Sequence, residues 1–279
     1  MPSVLITGAG RGIGRAAALR MAEVGWDVFA GVRNEAAGKA LATESPQRIT
    51  PVALDVTAAD DVAGLADVLP VRLDALVNNA GIAVGGALES LPIDELRHQL
   101  DVNVIAQVAV TQAVLPRLRE ATGRIVFISS ISGLLTSPML GAYSASKYAI
   151  EAIGDALRME LRPWRMPVVL IEPGQIATDL WHTAPQVLEE SVAALSPEHR
   201  RLYAGHIDGL RKTIPRAQKM AVPVDRVSKV VEKALTARRP KARYLVGAGA
   251  RPIGVLAHLA PSAVVDPMMA TMSGVPRKV

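Results

Sequence analysis

Short apolar runs alternate with longer amphipathic stretches through most of this sequence. Residues 4–7, 27–32, 49–55, 75–78, 124–129, 168–172 and 242–246 are brief and largely apolar. Such runs predict strands covered on both faces, as in a parallel sheet. Residues 12–24, 34–43, 58–69, 92–120, 142–161 and 224–237 predict helices, with Thr57, Pro92 and Pro223 at or near their openings. Strands and helices in turn imply right-handed crossovers and an α/β fold with an open parallel sheet of about seven strands. No solenoid repeat or low-complexity linker intervenes, so residues 1–279 are expected to form one domain. Residues 175–221 are too long for a plain connection and are expected to form a substrate-binding lid. Residues 248–279 make a C-terminal tail.

Composition sharpens this picture. Half the residues are hydrophobic but only 3% are aromatic, so the core must be built from Ala, Val, Leu and Ile. The absence of cysteine excludes disulfides, thiolate nucleophiles and Cys-based metal sites, and it fits a cytoplasmic location. The five histidines lack metal-binding spacing, so no metal is expected. The net charge is +5, but the Lys and Arg residues are scattered and no nucleic-acid partner is expected. No run of 18 apolar residues occurs, which argues against an integral membrane segment. The apolar stretch 253–265 reads first as a surface-covering helix and second as a peripheral membrane contact.

The first strand runs into a turn containing Gly8, Gly10, Arg11, Gly12, Ile13 and Gly14, and a helix follows. Glycines allow backbone to approach a pyrophosphate, and a helix N-terminus adds free N–H groups. The bland alternative is a tight turn without a ligand. After the second strand, many NAD sites carry an acid for the ribose hydroxyls. Here Arg33 follows the strand instead. Arg11 and Arg33 together suit a ribose 2′-phosphate through charge-assisted hydrogen bonds, so NADP(H) is preferred and NAD(H) is possible. Otherwise Arg33 simply starts the next helix on the surface.

Ser130 ends a strand, and Tyr143 and Lys147 lie four apart in a helix, on one face. A lysine ammonium near a phenol is expected to lower its pKa, which suits a general acid–base. Alone, this spacing is weak; Tyr143 could be a core tyrosine with Lys147 on the surface.

Taken together, the motifs resemble the short-chain dehydrogenases/reductases, in their single-domain NAD(P)-dependent branch. The resemblance spans residues 3–250. It rests on the glycine turn, on Asp55-Val56, on Asn78-Asn79-Ala80-Gly81, on Asn103, on Ser130, Tyr143 and Lys147, and on Pro173-Gly174-Gln175-Ile176-Ala177-Thr178. It implies a Rossmann-like doubly wound sheet. It implies that Asp55 and Val56 contact adenine, that Asn79, Ala80 and Gly81 pass by the cofactor, and that Pro173, Gly174, Ile176 and Thr178 hold the nicotinamide carboxamide. Tyr143 would be the acid–base and Ser130 would orient the substrate oxygen. Lys147 would bind the nicotinamide ribose, and Asn103 would hold a water linking Lys147 to solvent.

In the insertion, Trp181, Leu188, Leu195, Leu202, Tyr203, Ile207, Leu210 and Met220 give an apolar side. They predict a hydrophobic pocket, or merely docking of the lid. The expected substrate is a lipophilic ketone, aldehyde or secondary alcohol of steroid-like or retinoid-like character. A 3-oxoacyl thioester is the runner-up. A non-catalytic NADP-binding sensor is the alternative from another class. The resemblance also implies a homodimer or homotetramer joined through the two long helices, 92–120 and 142–161.

Overall fold

The computed structural model describes residues 1–247, 254 and 260–276, with backbone alone at Leu180 and Trp181. Its strands are β1 (Ser3–Thr7), β2 (Asp27–Val32), β3 (Ile49–Ala53), β4 (Ala75–Asn78), β5 (Arg124–Ile128), β6 (Val168–Pro173), β7 (Ile176–Ala177), β8 (Val222–Pro223) and β9 (Arg243–Val246). Seven of them form one sheet in the order β3-β2-β1-β4-β5-β6-β9. Every neighbouring pair in it is parallel. The order reverses between β1 and β4, and such a switch point leaves a crevice beyond the C-terminal strand ends. β7 and β8 pair separately and bracket the insertion between them.

Alternate residues of each strand feed opposite faces of the sheet. Val4 and Ile6 pack with Ala17, Ala18 and Met21 of α1 (Gly12–Glu23), Leu41 of α2 (Glu35–Glu44), and Val227 and Val231 of a late helix. Leu5 and Phe127 pack on the other side with Leu65 of α3 (Ala59–Val68). Both layers are aliphatic, which is how a chain so poor in aromatics fills its core. The buried alanines of α1 let that helix lie close on the sheet.

Two boundaries differ from expectation. The third strand stops at Ala53 rather than Asp55. Asp55 Oδ1 accepts hydrogen bonds from Thr57 N (2.9 Å) and Thr57 Oγ1 (2.7 Å), which turns the chain out of the sheet. The single long helix expected at 92–120 is three pieces: α4 (Ile93–Leu100), a π-helical turn (Asp101–Ile105) and α5 (Ala106–Ala121). Single π turns inside helices frequently stand at functional sites. The next long helix, α6 (Gly141–Glu160), is continuous.

The insertion folds as α7 (Asp179–Ala194), α8 (Pro197–Leu202) and α9 (Ala204–Met220). Ile207 is buried, and Leu188, Leu195, Tyr203 and Leu210 are half-buried. Leu202 and Met220, expected on the same apolar side, are exposed because each ends its helix and turns outward. The side chain of Trp181 lies outside the described residues, as do 248–253 and 255–259 of the tail. α10 (Asp225–Thr236) carries Val227 and Val231, and α11 (Ser262–Met272) follows in the tail. Among the described residues, no helix is long and apolar enough to cross a membrane.

Candidate active site

The turn between β1 and α1 is pressed against the turn that follows β4. Gly8 takes a positive φ of 65°. Asn79 Nδ2 donates to Thr7 O (2.9 Å) and Gly8 O (3.2 Å). Thr7 Oγ1 accepts from the backbone N–H of both Asn79 and Ala80, each at 3.0 Å. A Cβ on Gly14 would lie 2.3 Å from Gly8 O and 2.4 Å from Asn79 Nδ2, so only glycine fits there. Arg11 is the N-cap of α1 in extended conformation, and no side chain caps the helix. Its first N–H groups therefore face the crevice without a side-chain acceptor, a donor set that fits an anion. Thr178 reaches this turn from across the crevice, its methyl 3.7 Å from a Cβ built on Gly12.

Arg11 and Arg33 are exposed. Neither joins an ion pair among the described residues. Asn34, not Arg33, caps α2, accepting from Ala37 N at 2.9 Å. Arg33 thus stands outside the helix. The Thr57 hydrogen bonds hold the Asp55 carboxyl below its ordinary range, burial opposes them, and the Arg33 charge assists. Val56 beside it is buried.

Ser130, Tyr143 and Lys147 come together beyond the ends of β5 and β6. Ser130 Oγ accepts from Ser132 N (3.0 Å) and donates weakly to Pro173 O (3.5 Å). Lys147, 5% exposed, donates to Ile128 O at 2.8 Å. Its ammonium lies 5.8 Å from the Tyr143 ring centroid. Pro173 is buried at the end of β6, Gly174 donates to Val246 O (2.7 Å), and Ile176 is buried in β7. These contacts bring the expected carboxamide-holding segment beside Ser130.

The expected effect of Lys147 on Tyr143 is not what the structure shows. Burial pushes the phenol above its ordinary pKa, and Ser130, not Lys147, opposes it. Burial also pulls the Lys147 ammonium down to about 8, against the favourable charge of Glu151. Desolvation favours the neutral form of each group.

Asn103 lies in the π turn and is fully buried. Its Nδ2 donates to Ile82 O (3.0 Å) and Ser146 Oγ (3.1 Å), and its Oδ1 accepts from Ile82 N (2.9 Å). Both amide hydrogens are engaged, so the side chain ties a loop to α6. Gly81 sits against it, a built Cβ lying 3.2 Å from Asn103 Oδ1. The residues that sequence reasoning passed over complete the pattern. Gln99 Oε1 accepts from Val84 N (2.7 Å), Gln107 Nε2 donates to Ala80 O (2.9 Å), and Thr111 Oγ1 accepts from Asn78 Nδ2 (2.8 Å). Gln99, Asn103, Gln107 and Thr111 are thus four buried polar groups at four-residue spacing that clamp the segment after β4. That spacing was the available signal.

A second buried polar cluster adjoins Lys147. Arg243 Nε donates to Glu151 Oε2 (3.0 Å) and lies 3.2 Å from Glu172 Oε1, while its Nη2 lies 2.9 Å from Asp155 Oδ2. Burial, with the nearby Glu151 charge, pushes the Glu172 carboxyl up to about 7. A carboxyl raised this way binds its proton more tightly folded than unfolded, so it contributes stability below about pH 4.5 that is lost as pH rises through about 7. The melting temperature is therefore expected to fall across that window, and Glu172→Gln should flatten the fall. Thermal melts of both proteins at a series of pH values check this. A Glu172→Gln profile as steep as wild type would refute it.

Two residues before Tyr143, a cavity of about 470 Å³ opens beside Gly141. Ala87, Leu88, Pro138, Met139, Met269 and Ala270 give it apolar walls, and Tyr203, His206 and Asp266 give it a polar end. Tyr203 of the insertion also donates to Glu89 Oε2 (2.6 Å), which ties the insertion to the loop after β4.

Comparison with known proteins identifies the family. The short chain dehydrogenase family model matches residues 2–188. An NADPH-dependent 3-dehydrocapnine reductase of Ornithobacterium rhinotracheale is 36% identical over 276 residues, covering 95% of each chain. Retinol dehydrogenase 5 of Mus musculus is 31% identical, covering 95% of this chain and 87% of its own. The crystal structure of a short-chain dehydrogenase from Streptomyces avermitilis superposes with a TM-score of 0.77 at 27% identity, covering 98% of this chain and 94% of that one. With its Rossmann-like seven-stranded parallel sheet, the chain belongs to the short-chain dehydrogenase/reductase family of NAD(P)-linked oxidoreductases.

Proposed function

We propose that the protein is an NADP(H)-dependent oxidoreductase that interconverts a lipophilic carbonyl compound and its alcohol. The observation that carries this reading is the meeting of Ser130, Tyr143 and Lys147 beyond the strand ends; Gly141, which opens the helix that carries Tyr143 and Lys147, lines a largely apolar cavity. The NADPH-dependent relative and the retinol dehydrogenase support the cofactor and the substrate class.

The residues fit the cofactor. Gly8, Gly10, Gly12, Ile13 and Gly14 would lie along its pyrophosphate, and Arg11 and Arg33 would hold the 2′-phosphate. Asp55 and Val56 would border adenine, and Asn79, Ala80 and Gly81 the middle of the molecule. Pro173, Gly174, Ile176 and Thr178 would hold the carboxamide, and Tyr143 and Lys147 the nicotinamide ribose. Bound NADP(H) supplies the hydride chemistry. Tyr143, kept protonated by burial, gives its proton to the carbonyl oxygen in reduction and takes it back in oxidation. Ser130 hydrogen-bonds the same oxygen and fixes its place. Asn103 would hold a water linking Lys147 to solvent through an acceptor oxygen, while its amide positions α6 through Ser146 Oγ. Residues 175–221 form the lid, with Tyr203 and His206 at the cavity. We read the protein as one cytoplasmic domain. We also keep a homodimer or homotetramer through α4–α6, where Ile105, Tyr148 and Met159 are exposed.

The Arg11→Ser/Arg33→Ser double variant tests the cofactor assignment. Losing two charge-assisted contacts to one phosphate is expected to weaken NADPH by about 10- to 100-fold and to leave NADH almost unchanged. Fluorescence titration of both dinucleotides reads this. An equal loss for both would refute the 2′-phosphate site.

A further inference from the structure

The tail helix α11 carries Asp266, Met269 and Ala270 on one face, and all three line the cavity beside Gly141. At its end, Gly274 N–H donates to Thr271 O (3.1 Å) and Val275 N–H donates to Ala270 O (2.9 Å). Gly274 takes a positive φ of 73°. The two bonds and the left-handed residue together make a Schellman turn.

This turn lands on the insertion. A Cβ built on Gly209 of α9 would lie 2.2 Å from Gly274 O, and one built on Gly274 would lie 2.6 Å from Gly209 Cα. A Cβ on Gly205, four residues earlier on the same face of α9, would lie 2.8 Å from Pro276 Cγ. Backbone therefore meets backbone, with no room for a side chain, and Gly209 is buried by the contact. The clasp joins two parts of the chain that wall the same cavity: Tyr203 and His206 from the insertion, Met269 and Ala270 from the tail. Another wall belongs to α6. Gly141 opens that helix, and Tyr143 follows about 3 Å along its axis.

We propose that Met269 and Ala270 are specificity-determining residues: they receive the apolar part of the substrate, and the Gly209–Gly274 clasp fixes where that wall stands. A thioether and a methyl group offer a substrate packing but no strong hydrogen bond, so the part they receive is alkyl or alicyclic. Tyr203, at the polar end, already donates its hydroxyl to Glu89. The identity of the bound molecule as a carbonyl compound rests on the reaction proposed above; the wall and the clasp do not.

The test uses protein loaded with NADP⁺, so that no ketone turns over, and isotope-labelled methionine methyl groups read by NMR. The Met269 signal is assigned from Met269→Leu. Methyl nonyl ketone and decalone are the probes. At least one of them is expected to move the Met269 signal and to leave that of Met159, exposed near the end of α6, in place. Ala270→Leu fills the cavity without altering the clasp and is expected to weaken that ketone about tenfold, with NADPH affinity unchanged. Gly209→Ala should weaken it similarly through the clasp; alanine is the better helix former, so the loss cannot arise within α9. A Met269 signal that neither ketone moves, or wild-type ketone affinity in either variant, overturns the proposal. Ketone binding at Met269 without NADPH oxidation would keep this wall and reject the proposed reaction. NADPH oxidation with an unmoved Met269 signal would do the reverse.

Discussion

Tyr143→Phe is expected to bind NADPH as wild type does and to lose about 10²- to 10⁴-fold in turnover. The substitution removes one oxygen and leaves the ring in place. The phenol is the group whose proton affinity burial raises, and Ser130 is the neighbour poised to share its hydrogen bond. The measurement is single-turnover carbonyl reduction beside NADPH titration. Retained turnover in the variant would remove Tyr143 from the acid–base role. A parallel loss of NADPH affinity would make the residue structural instead.

Gly14→Ala is expected to damage the cofactor turn. The added carbon would lie 2.3 Å from a backbone oxygen and 2.4 Å from the Asn79 amide, whose hydrogen bonds join the turns after β1 and β4. The oxygen belongs to the backbone, and the amide is held in place by its hydrogen bonds to Thr7 O and Gly8 O, so the turns themselves must part. Overpacking of this kind costs about 1–3 kcal/mol, and NADPH affinity is expected to fall with it by about 5- to 150-fold. Gly10→Ala is the control for the thermal melts, since its nearest protein contact would be Ala37 Cβ at an ordinary 3.5 Å. Thermal melts of both variants and NADPH titration of Gly14→Ala read the difference. Equal melts of the two would mean that the close packing at Gly14 is not what shapes the turn.

The sheet was legible because it depends on local pattern. Seven short apolar runs correspond to the seven strands of the main sheet, and glycine turns mark where chain must approach chain. Ser130, Tyr143 and Lys147 were legible through spacing on one strand end and one helix. The π turn was not, because nothing in Asp101-Val102-Asn103-Val104-Ile105 breaks a helix locally. The polar stripe from Gln99 to Thr111 reads as a solvated helix face until the loop after β4 is seen to cover it. The proton affinity of Tyr143 depends on burial, which spacing does not reveal. Glu151 and Arg243 lie 92 residues apart, so only the placement of β9 beside β6 brings them together.

The central claim is that this fold and this side-chain set reduce a lipophilic carbonyl with NADPH. The direct test is the decay of NADPH absorbance with wild-type protein and a panel of long-chain and polycyclic ketones and aldehydes, repeated with NADH. The account predicts decay with at least one member of the panel, and kcat/KM for NADPH about tenfold or more above that for NADH. A flat trace across the panel from protein saturated with NADPH would contradict it and would favour a cofactor-binding sensor.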